Sequence, residues 1–313
     1  MGHPNESSVT YFIIKGISDA PEHQLPIFLL VLLICLVTLG GNLTILLLVC
    51  VDRRLHTPMY FFLGNLSTLD MFSTTVTLHR VLLNYITGNK TISFPSCMAQ
   101  VYFFSSFTSD ELLLLAAMSY DRYVAVCMPL NYLLVMNQRR CLLLAIVCWV
   151  LGLLHVIPYV VLLSGFSCYQ SNLIDHFYCD LVPIMKLSCS DTSALEFLIY
   201  TDGLLLLNLT PCLLTVVSYG FIIVAVLRIR SDVGHRKAFY TCSSHLAVVM
   251  SLYVTLGCQY LTPASGNAVV SYKLFSLFNT AAVPMLNPLI YSLRNREVKS
   301  ALGQKLKCLK AGW

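Results

Sequence analysis

The sequence predicts an all-α membrane protein, a bundle of seven spanning helices with its amino terminus outside the cell. Three observations carry that reading: the composition, the number of long apolar stretches, and the side on which positive charge falls. Of 313 residues, 57% are hydrophobic and only 11% charged, and the mean hydropathy is +0.74. That is outside the range of a soluble domain. A hydrocarbon core of about 30 Å is crossed by roughly 20 apolar residues in a helix, and seven such stretches stand between charged, proline or polar boundaries.

Taken in order, residues 1–25 form an outside tail. It carries Glu6, Asp19 and Glu22 and lacks the basic segment followed directly by an apolar one that marks a cleavable signal, so the first helix is expected to serve as the insertion signal. Asn5-Glu-Ser7 is a glycosylation sequon in this tail. Asn89-Lys-Thr91 is a second, too near the bilayer to be preferred, and similar triplets at Asn42, Asn65 and Asn208 fall within helices. The spans run Pro26–Cys50, Pro58–Ile86, Met98–Cys127, Cys141–Leu163, Phe197–Leu227, Ala238–Leu261 and Val270–Leu293. Residues 26–293 are therefore the membrane domain and residues 294–313 a cytoplasmic tail, expected to begin with a short amphipathic helix.

Orientation follows from Lys and Arg, which short loops hold on the cytoplasmic side. With the amino terminus outside, Arg53, Arg54, Arg122, Arg139, Arg140, Arg228, Arg230, Arg236, Lys237, Arg294, Arg296, Lys299, Lys305, Lys307 and Lys310 fall inside. Only Lys15, Arg80, Lys90, Lys186 and Lys273 fall elsewhere. The net charge of +5 is thus membrane topology and not a nucleic-acid footprint.

Of the 13 cysteines, Cys97, Cys168, Cys179 and Cys189 lie on the outer, oxidising side with freedom to pair. Four cysteines allow three connectivities, and spacing does not choose among them. No Cys-x-x-Cys, phosphate-cradling glycine loop, His-Glu-x-x-His or nucleophile elbow is present, which argues against a metal site, a cofactor or an enzyme. Seven unequal helices also do not divide into the repeated halves of many transporters.

What remains is polarity at membrane depth: Asn42, Asp70, Asp110, Glu111, His155, Asn208, Asn279 and Asn287. An ionisable group there is costly and marks function by default, whereas amides more often serve as interhelical ties. Asn42 and Asn208 read as such ties, and Asp70, Glu111 and Asn287 as a cluster filled by a cation or water. The segment Met118-Ser-Tyr-Asp-Arg-Tyr-Val-Ala-Val-Cys127 sets a carboxylate beside a guanidinium where helix 3 meets the cytoplasm. A charge there costs roughly 2.5–3.5 kcal/mol, so the pair reads as a switch.

Four segments carry a resemblance. Leu55-His-Thr-Pro-Met-Tyr-Phe-Phe-Leu-Gly-Asn-Leu-Ser-Thr-Leu-Asp70, Asp121-Arg-Tyr, Lys237-Ala-Phe-Tyr-Thr-Cys-Ser-Ser-His-Leu246 and Pro284-Met-Leu-Asn-Pro-Leu-Ile-Tyr-Ser-Leu-Arg-Asn295 stand in order on the right helices. Together they resemble the odorant (olfactory) receptors, a branch of the rhodopsin-like G-protein-coupled receptors. His176-Phe-Tyr-Cys-Asp180, flanked by Cys168 and Cys189, is similar to the second outside loop of the tetrapod-type (class II) members. The resemblance implies bridges Cys97–Cys179 and Cys168–Cys189. It makes Asn42, Asp70, Trp149, Pro211 and Pro288 helix landmarks. It also implies a G-protein switch of Asp121, Arg122, Tyr123, Tyr219, His245, Asn287, Pro288 and Tyr291, in which Arg122 pairs with Asp121 at rest and turns toward Tyr219 and Tyr291 on activation. Asp70 and Glu111 become the polar cluster under the pocket.

The family's pocket implies a lining of Phe104, Ser105, Thr108, Ser109, Asp180, Leu181, Gly203, Leu204, Leu207, Tyr253, Leu256, Gly257, Tyr260, Leu277 and Thr280. That lining is mostly apolar with a few hydroxyls, as suits small volatile ligands. Of the helix 6 pair, Tyr260 is expected to bond a ligand oxygen and Tyr253 to sense its bulk. Departures from the family pattern are His79-Arg80 for the usual Pro-Lys, which leaves helix 2 without its kinking proline, and Gly64, Tyr240 and Val254 for Ser, Ser and Gly. Asp110 beside Glu111 is a second, unusual acid. A receptor for trace amines would want a carboxylate where helix 3 has Phe104. The resemblance thus implies a receptor for small odorants, coupled to a stimulatory heterotrimeric G protein and cyclic AMP, embedded in lipid at the plasma membrane of olfactory cilia. A trace-amine-like receptor and a transporter are the rival readings.

Overall fold

The computed structural model describes residues 9–18, 20–228, 232–261, 266–294 and 296–311, with side chains described throughout except at 232–242, 244, 260, 266–269, 291–294, 296, 297 and 306–311. The Asn5 sequon and the side chains of Tyr260 and Tyr291 lie outside the described residues.

Among the described residues seven long helices form the bundle: α1 (Pro21–Val51), α2 (Pro58–Thr87), α3 (Phe94–Cys127), α4 (Gln138–Ser164), α5 (Ser193–Leu227), α6 (Asp232–Leu261) and α7, which spans residues 266–294. An eighth, α8 (Arg296–Ala311), follows α7. Four of them, α1, α3, α4 and α5, are long and apolar enough to cross a membrane on composition alone. The others are more polar because they turn hydroxyls, amides and carboxylates toward one another inside the bundle. Leu29, Leu33 and Leu36 on α1, Leu142, Leu143 and Ile146 on α4 and Leu213, Leu214 and Val217 on α5 are exposed, which is the apolar belt a bilayer requires.

α3 is the hub, packing on α2, α4 and α5, while α1 lies against α2 and α7 and α6 closes the ring between α5 and α7. The main core gathers Leu63, Leu66 and Leu69 of α2, Leu112, Leu114, Leu115 and Met118 of α3, Cys148 of α4 and Leu252 and Leu256 of α6. α2 runs unbroken past His79 and stops at Gly88, whose φ of 68° is the left-handed conformation a glycine supplies at a helix end. Two helices change pitch: α5 is a π-helix over Ile199–Leu209 and α7 over Phe278–Ala282. Each segment ends just before a proline, Pro211 or Pro284, whose missing amide leaves a carbonyl one turn earlier to be accommodated by the wider helix.

The helices were legible in sequence, but a small sheet on the outer face was not. Tyr11–Ile14 (β1) pairs antiparallel with Thr91–Ser93 (β2) and parallel with Leu173–Ile174 (β3), giving the order β2-β1-β3. The tail and the first two outside loops are thereby stitched into one cap over Phe12, Ile14, Ile92 and Ile174, all buried.

Candidate functional site

Beneath that cap lies a cavity of about 50 Å³ enclosed by α3 to α7 and the second outside loop. α3 contributes Phe104, Ser105, Thr108, Ser109 and Leu112, a stripe at helical spacing on one face. α4 adds His155, Val156 and Tyr159, the loop Asp180, Leu181 and Val182, α5 Ile199, Gly203 and Leu207, α6 Leu256 and Gln259, and α7 Tyr272. Nine residues of the expected lining are therefore in the wall: Phe104, Ser105, Thr108, Ser109, Asp180, Leu181, Gly203, Leu207 and Leu256.

Five others are not. Leu204, the next residue of the π segment after Gly203, is not in the wall. Tyr253 is buried below the floor, where its hydroxyl donates to the Leu112 carbonyl at 3.2 Å. Gly257 faces the Asn208 amide. Leu277 packs with Phe104 and Tyr178, and Thr280 donates back to the Ser276 carbonyl at 2.8 Å. The cavity thus sits nearer the outer surface than the expected lining: Gln259 replaces Tyr253 on α6, and Tyr272 replaces Thr280 two turns higher on α7. The pocket implied by the resemblance includes no α4 residue, although His155 stands out in the sequence as polar at membrane depth.

The loop above the cavity is fixed by covalent and polar ties. Cys97 at the top of α3 is bridged to Cys179, and Cys168 to Cys189, with Cα atoms 5.5 and 5.3 Å apart. Asp180 accepts from Tyr272 at 2.8 Å, Tyr178 at 3.2 Å and its neighbour's amide, Leu181 N, at 2.8 Å. Burial pushes its carboxyl upward, and those bonds oppose the shift. Gln259 continues the network, donating to Ser276 at 3.1 Å and accepting from Asn279, which in turn accepts from Thr255 at 2.6 Å. His176 is enclosed by Phe177, Tyr178 and Tyr272. Burial lowers its imidazole from the ordinary 6.5 to about 3, against the pull of the Tyr178 carbonyl. Outside it, Asp175 bonds Lys273 at 2.7 Å and Lys15 at 3.4 Å, and these ties hold its carboxyl low in spite of partial burial.

At mid-membrane, Asn287 donates to both oxygens of Asp70, at 3.2 and 3.0 Å. Glu111 is buried beside them, and its Oε1 and the Asn287 Oδ1 have no hydrogen-bond partner. The cluster presents more acceptors than donors, the chemistry that suits a cation or water. Asn42 ties α1 to α7 by donating to the Pro284 carbonyl at 3.1 Å, and Asn208 ties α5 to α6 through the Tyr253 carbonyl at 3.3 Å. Asp110 points the other way, against α4, where a side chain at Gly152 would collide with its carboxyl group.

At the cytoplasmic end, Arg122 is held by Asp121 with its Nη2 2.5 Å from Oδ2. Tyr132, in the second inside loop, donates to the other Asp121 oxygen at 2.8 Å. Tyr219 of α5 and His245 of α6 are hydrogen-bonded to each other, and Tyr123 packs edge-on against Phe221. Pro288 approaches Gly41 of α1 so closely that a side chain there would touch it at 3.0 Å.

A seven-helix bundle whose third helix bears cavity-facing side chains at its outer end and an Asp-Arg-Tyr segment at its inner end defines the G-protein-coupled receptor class, membrane receptors and not enzymes. The family described as "Olfactory receptor" matches residues 30–308. The chain is 43% identical to mouse (Mus musculus) olfactory receptor 8G17 over 303 residues, covering 97% of this chain and 99% of that one. It is 41% identical to human (Homo sapiens) olfactory receptor 5G3, covering 98% of each, and 45% identical to human olfactory receptor 8G3, covering 95% and 96%. The chain belongs to the olfactory receptor family, and with it to receptors that take small molecules and couple to G proteins.

Proposed function

We propose that this receptor binds a small, mostly apolar volatile odorant in the cavity between α3 and α7 and activates a stimulatory heterotrimeric G protein, raising cyclic AMP at the plasma membrane of olfactory cilia. The observation that supports this best is the continuity of α3. It lines the cavity with Phe104 through Leu112, carries Glu111 beside Asp70 and Asn287, and ends on Asp121 and Arg122. An odorant that binds better when α5 and α6 move outward shifts the population toward an open cytoplasmic cleft, since a ligand acts only through its differential affinity for two states. In that state Arg122 leaves Asp121 and turns toward Tyr219 and Tyr291. The Asp70–Glu111–Asn287 cluster holds sodium or water in the resting state.

The test is a broad odorant panel applied to cells displaying the full chain, with cyclic AMP as the readout. Dose-dependent responses that need the stimulatory G protein support the assignment. A surface-displayed receptor silent to the whole panel, or one that signals only through another G-protein class, rejects it.

A further inference from the structure

His155 and Ser109 line one side of the cavity with Asp202 set against His155, and their arrangement specifies more than a size. His155 Nε2 lies 2.7 Å from Asp202 Oδ2, and Nδ1 lies 3.4 Å from Ser109 Oγ. The Tyr159 hydroxyl donates to the same Asp202 oxygen at 3.1 Å, and its ring centroid is 5.1 Å from the imidazole. Resting on the reading of this cavity as the odorant site, we infer that it selects compact hydroxyl-bearing ligands, alcohols or phenols, which donate to His155 Nδ1, with Asp202 as the positioning residue that makes that nitrogen an acceptor.

A carboxylate only accepts hydrogen bonds. A bare Nε2 at 2.7 Å would set two negative partial charges in contact, so Nε2 carries the proton, although its N–H is not aligned on the oxygen as a regular hydrogen bond. A neutral imidazole protonated at Nε2 leaves Nδ1 as a bare acceptor on the cavity side. The neighbouring protons are already engaged: Ser109 donates to the Ser105 carbonyl at 2.9 Å, Thr108 to the Phe104 carbonyl at 3.0 Å, Tyr272 to Asp180, and Tyr159 to Asp202. This end of the cavity therefore offers acceptors in search of a donor. An alcohol supplies one. A ketone or ether of the same skeleton brings lone pairs against lone pairs. The volume of about 50 Å³ is that of three or four water-sized sites at roughly 15 Å³ each, which favours a compact skeleton.

Matched sets sharing one skeleton (alcohol, ketone, methyl ether and hydrocarbon) are applied to cells displaying the full receptor, and half-maximal concentrations are compared. One neutral hydrogen bond predicts an alcohol about two- to twelve-fold more potent than its ketone or ether. His155→Phe and His155→Gln should bring that ratio close to one while hydrocarbon or ether responses persist. Asp202→Asn, which no longer forces the proton onto Nε2, should lower or reverse it. Surface labelling accompanies every variant, and because the readout is a ratio within one receptor, poorer delivery alone does not move it. Wild-type responses with no alcohol preference, a ketone preference, or a ratio unchanged in all three variants would overturn this inference and leave the odorant reading standing. Silence to every odorant would remove both.

Discussion

Tyr219 of α5 and His245 of α6 stack with ring centroids 5.8 Å apart and an interplanar angle of 15°, and they hydrogen-bond to each other. Both are buried at the end of the bundle where Arg122 sits. In the proposed mechanism Arg122 turns toward Tyr219 on activation, which draws the Tyr219 hydroxyl from His245, so this clasp belongs to the proposed resting state. His245→Phe keeps an aromatic ring and removes the bond. A lost neutral hydrogen bond is worth about 0.5–1.5 kcal/mol, so basal cyclic AMP at equal surface density should rise about two- to twelve-fold before saturation. An unchanged basal level with intact agonist responses would show that the clasp does not restrain the helices.

Arg122 is the second test. At rest Asp121 holds it, and the proposal gives it a new partner on activation. Arg122→Ala should abolish agonist-driven cyclic AMP while surface labelling stays measurable, because Asp121 keeps its bond from Tyr132. Signalling at wild-type amplitude from this variant would remove the switch.

The bundle was legible because spanning helices announce themselves by length and hydropathy, and their ends by charge. The expected second span, Pro58–Ile86, differs from α2 by one residue at its end. The outer sheet was not legible: Tyr11–Ile14, Thr91–Ser93 and Leu173–Ile174 are two to four residues long and pair across distant loops, so no local period marks them. The lining was readable on α3, where one helical stripe accounts for all four expected residues. On α7 the π segment before Pro284 resets depth and facing in a way that spacing does not record, and on α6 the wall stands higher, at Leu256 and Gln259. His155 was visible as an oddity, but Asp202, 47 positions later, gives it meaning only in three dimensions.

The outer bridges make a third prediction. Removing a native disulfide commonly costs about 2–5 kcal/mol, and the Cys97–Cys179 bridge anchors the loop that carries Asp180 and the buried aromatic cluster around His176. Cys97→Ser and Cys179→Ser should each prevent surface delivery, and the double variant should be no worse than either single one. Peptide mapping of intact protein that recovers these cysteines as free thiols, or normal delivery of both single variants, would refute the role.

A pH dependence follows from His176. The unfolded chain takes up its proton near 6.5 and the folded chain only near 3, because the ring is buried among Phe177, Tyr178 and Tyr272. Between those values the unfolded state binds more protons, so stability is full above about 6.5 and falls as pH drops toward 3. At pH 5 this one group accounts for about 2 kcal/mol. Asp180, shifted upward by burial, acts in the opposite sense but is common to both proteins, and the comparison is made between pH 7.5 and 5. Thermal unfolding of the purified receptor should lose more Tm over that interval than His176→Gln does, since a glutamine amide does not titrate. Equal losses in the two proteins would assign the acid sensitivity to other groups.

Tyr253 separates transmission from recognition. Its hydroxyl donates to the carbonyl of Leu112, and Leu112 forms part of the cavity floor, so Tyr253 is one bond below the cavity and touches α3 without lining it. An α6 that must swing away from α3 has to break that bond. Tyr253→Phe removes it without changing the packing volume, so it should alter basal and maximal cyclic AMP while every agonist keeps its rank in potency. The same bond energy, about 0.5–1.5 kcal/mol, bounds the change in the resting equilibrium. A cavity-lining residue would behave differently: Leu256→Ala should reorder agonists by bulk, because Leu256 is in the wall one turn above Tyr253. If Tyr253→Phe reorders the agonists as Leu256→Ala does, the cavity reaches deeper than the floor at Leu112, and Tyr253 belongs to the binding site after all.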